Sequence, residues 1–135
     1  MSENEESAEA RRWLRYALED LEAGEALLSQ RTAIPRHICW LAQQSAEKAI
    51  KAALIFLQID FPHRHDLDVL RNLLPASWSI KEQQPDLAEL TEWSVEARYP
   101  GDWPEATDND ARIAMQQARA VWQSIETDLL HNGFP

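Results

Sequence analysis

Basic residues are scarce in this chain: 13 lysines and arginines stand against 23 aspartates and glutamates in 135 residues, a net charge of −10. A surface that acidic repels nucleic-acid backbones at long range and argues against a protein that coats DNA or RNA. It still leaves room for a small, locally basic site. Glycine is scarcer, at 3 residues, too few for a phosphate-cradling loop or a turn-rich β-sandwich. The single cysteine, Cys39, cannot form an internal disulfide and points to a reducing compartment. Long apolar runs are missing too. The longest uncharged stretch, His37 to Ala46, is about half of the ~20 residues a membrane span needs. The opening Met1-Ser2-Glu3-Asn4-Glu5-Glu6 is acidic where a secretory signal is basic. These absences together predict a soluble, cytoplasmic protein with no membrane and no long nucleic acid among its partners.

What is present is helical periodicity, in a chain whose 44% hydrophobic content is ordinary for a globular domain. Ala10, Trp13, Ala17, Leu21, Gly24 and Leu28 recur at three- and four-residue steps, the stripe of an amphipathic helix. Ser2 and Glu5 have capping-box spacing at its start. Pro35 suits the first turn of a second helix, Arg36 to Ile59, which is apolar over most of its circumference and therefore central. Its charged edge is Glu47, Lys48 and Lys51, with Gln44 one turn earlier. A short helix over Asp66 to Leu74 follows, with His65 or Asp66 near its cap; Pro75 to Pro85 reads as a loop, and Asp86 to Arg98 as helix again. Thr107 and Asp110 have the spacing of a cap before the register Ala111, Ala114, Ala118, Val121, Ile125, Leu129. No segment alternates as a strand does. The expectation is one all-α domain over residues 1–135, an up-and-down helical bundle of three long and two short helices.

Most enzyme signatures are absent: there is no P-loop, no dinucleotide fingerprint, no Gly-x-Ser-x-Gly and no Cys-x-x-Cys. Cys39 sits in an apolar helix, where a small buried thiol is expected rather than a nucleophile. His63-Arg64-His65-Asp66 contains zinc-type ligands, but the intervening arginine and the i,i+2 histidine spacing oppose a metal site. The acidic run Asp102 to Asp110 lacks the glycine and the bidentate glutamate of a calcium loop. Of the six tryptophans (Trp13, Trp40, Trp78, Trp93, Trp103 and Trp122), Trp13, Trp40 and Trp122 lie in helices and are expected in the core, while Trp78 and Trp103 lie in loops as candidates for exposed contact. The cations are the more informative group. Lys48 and Lys51 share an edge of the most apolar helix, Arg98-Tyr99 ends another, and Arg64 and His65 lie between them in sequence. Lysines so placed are either paired with carboxylates, as the Glu47/Lys51 spacing suggests, or offered to an anion.

Three strings now carry a resemblance: Gln43-Gln44-Ser45-Ala46-Glu47-Lys48-Ala49-Ile50-Lys51-Ala52-Ala53-Leu54, then Phe61-Pro62-His63-Arg64-His65-Asp66-Leu67, then Glu96-Ala97-Arg98-Tyr99-Pro100. In this order, behind the Trp13-Leu14 to Ala23 segment, the chain resembles the HEPN domain (higher eukaryotes and prokaryotes nucleotide-binding) over essentially its whole length. The resemblance implies a two-fold homodimer with a groove between subunits, encoded beside a minimal nucleotidyltransferase that it serves as a non-catalytic accessory partner. It also implies a nucleotide ligand such as ATP or GTP, with no further cofactor and no metal. In that reading Lys48, Lys51 and Arg98 donate to phosphate, Gln44 and Glu47 orient the lysines, and Tyr99 stacks on a base or packs the dimer seam. His65 touches the ligand or, preferably, caps its helix.

Some family members are ribonuclease toxins of toxin-antitoxin pairs, marked by an arginine, four to six residues and a histidine. After Arg98 those positions hold Trp103, Pro104 and Glu105, so the histidine is missing and no catalytic residue is assigned. Arg31 and His37 satisfy the spacing but flank the first inter-helix connector, away from the family's motif. Two alternatives remain alongside the accessory reading: a ribonuclease toxin, and a purely structural dimerisation and interaction module.

Overall fold

The computed structural model describes residues 4–30, 32–94, 100–101 and 103–135. Six helices are present among them: α1 (Glu5–Leu28), α2 (Pro35–Phe56), α3 (Leu67–Asn72), α4 (Ile80–Gln83), α5 (Ala88–Thr91) and α6 (Asp108–His131). The three long helices fall where the periodicity puts them, and the described residues contain no strand. The shorter elements differ from expectation. The stretch between Pro75 and Pro85 contains α4, and of the helix expected over Asp86 to Arg98 the described residues retain only α5.

Local chemistry explains the boundaries. Asn4 caps α1 by accepting from Ser7 N at 2.8 Å, whereas the Ser2 cap expected from spacing lies outside the described residues. At α6 the expected capping box forms: Asp110 N donates to Thr107 Oγ1 and Thr107 N donates to Asp110 Oδ2. α2 and α6 both end in a Schellman turn. Ile59 N reaches Leu54 O and Phe134 N reaches Leu129 O, each across a residue with positive φ. That residue is Gly133 in one turn and Gln58, at φ 57°, in the other. The chain beyond α6 folds back so that Phe134 meets Phe56 edge-on, centroids 5.4 Å apart.

α2 is the hub. From Ala42 to Leu54 nearly every residue is buried, and α1 and α6 pack against it. The α1–α2 seam is close because its residues are small: Ser45 Oγ donates to Ala17 O at 2.7 Å. Gly24 leaves the space that Met115 of α6 occupies, since a Cβ there would lie 2.7 Å from its sulfur. Gly24 also lies near Leu41, early in α2, while Phe56 and Phe134 meet at the ends of α2 and α6. α6 therefore runs parallel to α2, and α1 is antiparallel to both. The return segment that carries α3 to α5 brings the chain back along the bundle between α2 and α6.

That return segment is tied down by polar side chains. Of the two residues expected near the α3 cap, Asp66 takes it, accepting from Asp68 N and Val69 N, and the preferred capping role of His65 is not realised. Buried Arg71 donates to Asp68 and to Gln84 O. Asp128 of α6 accepts from Ser79 N, Ser79 Oγ and Ile80 N, closing the open amides at the start of α4. The tryptophans correct two further expectations. Trp78, expected exposed, is 2% exposed beneath this segment, and Trp40, expected in the core, is 38% exposed.

Candidate functional site

Glu47 is the centre of the expected site. It sits in α2 with Gln43 one turn before and Lys51 one turn after, so all three side chains rise on one face. Lys51 Nζ donates to Glu47 Oε2 at 2.9 Å, and Gln43 Nε2 donates to Glu47 Oε1 at 3.0 Å. His65, from the segment before α3, places Nδ1 2.7 Å from the same Oε1. Gln43 also donates to His65 O at 3.1 Å and accepts from Gln44 Nε2 at 2.8 Å. The five side chains form one connected network spanning α2 and the approach to α3.

Burial by itself would push the Glu47 carboxyl up. The hydrogen bonds from Lys51, Gln43 and His65, together with the Lys51 charge, outweigh it and hold the group below the ordinary carboxylate range. Glu47 is thus an ionised carboxylate inside the protein, with side-chain exposure of 7% against 8% for Lys51. The Lys51 ammonium is further enclosed by two ring faces, 6.0 Å from the Trp13 centroid and 5.6 Å from that of Phe61. The spacing of Glu47 and Lys51 suggested pairing, and the pair is formed.

Lys48 points the other way. Its ammonium bonds Asp20 of α1 at 2.5 Å, and both groups keep some access to solvent. Of the expected ligand-binding residues, the structure therefore joins Gln44, Glu47, Lys51 and His65 and sends Lys48 across to α1. Arg98 and Tyr99 lie outside the described residues, as does Arg31. Sequence reading missed Gln43, Trp13, Phe61 and Asp20. The Gln43/Glu47/Lys51 ladder at steps of four was there to be read, but the ring faces and Asp20 arrive from other elements.

Two surface hollows open elsewhere. One, of about 420 Å³, lies between α1 and α6; the other, of about 200 Å³, lies between α4 and α6. Neither is bordered by Lys48 or Lys51. Among the described residues no three His, Cys, Asp or Glu side chains converge as a metal site, and no helix is long and apolar enough to cross a membrane.

With this geometry in view, the family model for the HEPN domain matches residues 10–128. No curated protein matches the chain. Among solved structures, the crystal structure of TT1696 from Thermus thermophilus superposes with a TM-score of 0.76 at 25% sequence identity, over 89% of this chain and 98% of that one.

Proposed function

The chain belongs to the HEPN domain family, and from that premise we propose that it is a non-catalytic accessory module. It pairs as a homodimer and docks onto a separately encoded minimal nucleotidyltransferase. The observation that carries this reading is the closure of both α2 lysines by carboxylates, Lys51 on Glu47 and Lys48 on Asp20. Charge that a phosphate would need is taken up within the fold. Large apolar side chains are exposed on α1 and around the start of α2 instead: Tyr16 is 46% exposed, Ile34 47% and Trp40 38%. Aromatic side chains of that kind supply contact area at protein interfaces.

Cleavage of RNA through a 2′-hydroxyl needs a proton acceptor beside a cation. His37 is exposed in the first turn of α2, and His65 is bound to Glu47. Neither follows Arg98 at the spacing of the ribonuclease signature. The test is co-expression with the nucleotidyltransferase encoded beside this chain, followed by light scattering on the eluted peak. A stable complex containing both chains is expected. Separate elution of the two, with RNA cleavage by this chain alone, overturns the reading in favour of the ribonuclease.

A second reading, nucleotide binding, is favoured by one feature. The Lys48–Asp20 pair is partly exposed, and pairs of that kind hold by only about 0–1 kcal/mol, so a phosphate can compete for the ammonium. Gln44 lies one turn away on the same helix. Titration calorimetry with ATP and GTP tests it: heat that disappears in Lys48→Ala and in Arg98→Ala supports nucleotide binding, and no heat from the parent chain removes it.

A further inference from the structure

The outer face of α6 carries a feature that the HEPN site does not use. The hollow against α1 has an apolar floor of Leu28, Met115 and Ala120, and Arg112 and Arg119 stand on its rim. The hollow against α4 is lined instead by uncharged hydrogen-bonding groups, Ser79, Gln83, Gln84 and Thr127 among them. The two hollows lie on opposite flanks of α6 and adjoin at Ala120 and Gln123, which border both; together they are called the trough.

The two arginines differ. Arg119 is already gripped by Glu25, whose Oε2 lies 2.7 Å from Nε, with a second bond from its terminal nitrogen. Arg112 is exposed, and its guanidinium has no ion pair or hydrogen bond among the described residues. The trough thus offers one uncompensated positive charge beside apolar side chains, then a polar stretch in which Ser79 Oγ already donates to Asp128 and Gln83 Oε1 already accepts from Ser124, leaving the Gln83 amide N–H, Gln84 and Thr127 to meet a ligand.

We infer that this trough binds an extended peptide segment of a partner protein, one carrying an acidic residue beside a large apolar residue. The carboxylate pairs with Arg112, the apolar side chain rests on Leu28 and Met115, and the peptide backbone continues past Ala120. The amide and hydroxyl lining argues for an extended strand. A helix satisfies its own backbone groups, whereas an extended chain presents N–H and C=O groups that Gln83, Gln84 and Thr127 can meet. Length agrees: Arg112 to Thr127 spans about 22 Å of helix, room for roughly six or seven extended residues. A polynucleotide is disfavoured, because Glu25 offsets Arg119 and the chain as a whole carries −10.

The inference rests on the docking reading above and names the surface that takes the partner. The experiment reads the trough alone. Random seven-residue peptides displayed on phage are selected against the intact chain, and enriched sequences are synthesised with a fluorophore for polarisation binding. The expected consensus places Asp or Glu beside a large apolar residue, and affinity falls about tenfold on replacing that acid by its amide. A similar loss is expected in Arg112→Ala and in Ala120→Trp, with none in Lys48→Ala. Circular dichroism of each variant separates loss of binding from loss of fold.

No enrichment, enrichment of basic peptides, or affinity unchanged by both trough substitutions overturns the inference. So does a peptide that becomes helical on binding. Self-association of the chain that Ala120→Trp abolishes would assign the trough to a second copy. Peptide binding without a nucleotidyltransferase complex would overturn the identity of the partner and keep the site.

Discussion

Lys51 bonds Glu47 one turn earlier in α2 at 2.9 Å, while the rings of Trp13 and Phe61 close over the ammonium. Removing one partner from such a buried pair leaves the other charge without compensation, which costs about 3 kcal/mol or more. Lys51→Met is therefore expected to destabilise the fold by about 3 kcal/mol in urea unfolding. The double variant Glu47→Gln with Lys51→Met should recover most of that loss. Lys48→Ala, which opens a partly exposed pair, is expected to cost under about 1 kcal/mol. Equal losses for the two lysines would contradict this distinction.

The same carboxylate sets a pH dependence. Glu47 is held below its ordinary range when folded, so its contribution to stability is fully present above the unfolded carboxyl value of about 4.3. It is lost as pH falls through the folded value. Stability should therefore drop on acidification below about pH 5 more steeply in the parent than in Glu47→Gln. Unfolding free energies measured between about pH 3 and 7 would show the two curves converging at the acid end. Parallel curves would mean that Glu47 carries no such linkage.

Gln58 occupies a left-handed position, φ 57°, that glycine fills in the matching turn after α6. Gln58→Gly is expected to stabilise the protein by about 0.5–1 kcal/mol, because relief of backbone strain exceeds the added freedom of the unfolded chain. A β-branched replacement, Gln58→Val, should act in the opposite sense. Thermal unfolding of the three proteins gives the order.

Asp128 serves three donors at the start of α4 from a nearly buried position. Asp128→Ala leaves Ser79 N and Ile80 N without their acceptor and is expected to cost about 2–3 kcal/mol. Amide exchange should rise at residues 79–83 before it rises in α2. Uniform exchange across the chain would mean that α4 is held by other means.

The long helices were legible because each states its period and its ends locally: apolar residues at three- and four-residue steps, Pro35 in a first turn, Thr107 and Asp110 three apart. α4 was not, because the carboxylate that caps it lies 49 positions away in Asp128. Trp78 misled for a related reason. It stands in a proline-bounded stretch that reads as surface, yet the return segment folds it inward. Trp40 misled in the other direction, since a run without charges does not say which edge of its helix faces out.

At the site, the Glu47–Lys51 contact followed from an i,i+4 spacing. The sequence offers both His65 and Asp66 for the α3 cap, with capping preferred over ligand contact for His65, because the chain before α3 carries no local sign that it doubles back onto α2. Asp66, its neighbour, takes the cap and frees the ring for Glu47. The HEPN resemblance drawn from three short strings extended to a match over most of the chain.

The parallel course of α2 and α6 bears on how the chain acquires its structure. α1 and α2 are joined by a short connector and can collapse as a hairpin while later residues are still being synthesised. α6 cannot join them until a loop of roughly 50 residues closes, at an entropic cost of about 3–4 kcal/mol. In that interval the apolar side of α2 that α6 will cover stands open to water. The nascent hairpin is then the form most exposed to aggregation and most in need of a chaperone.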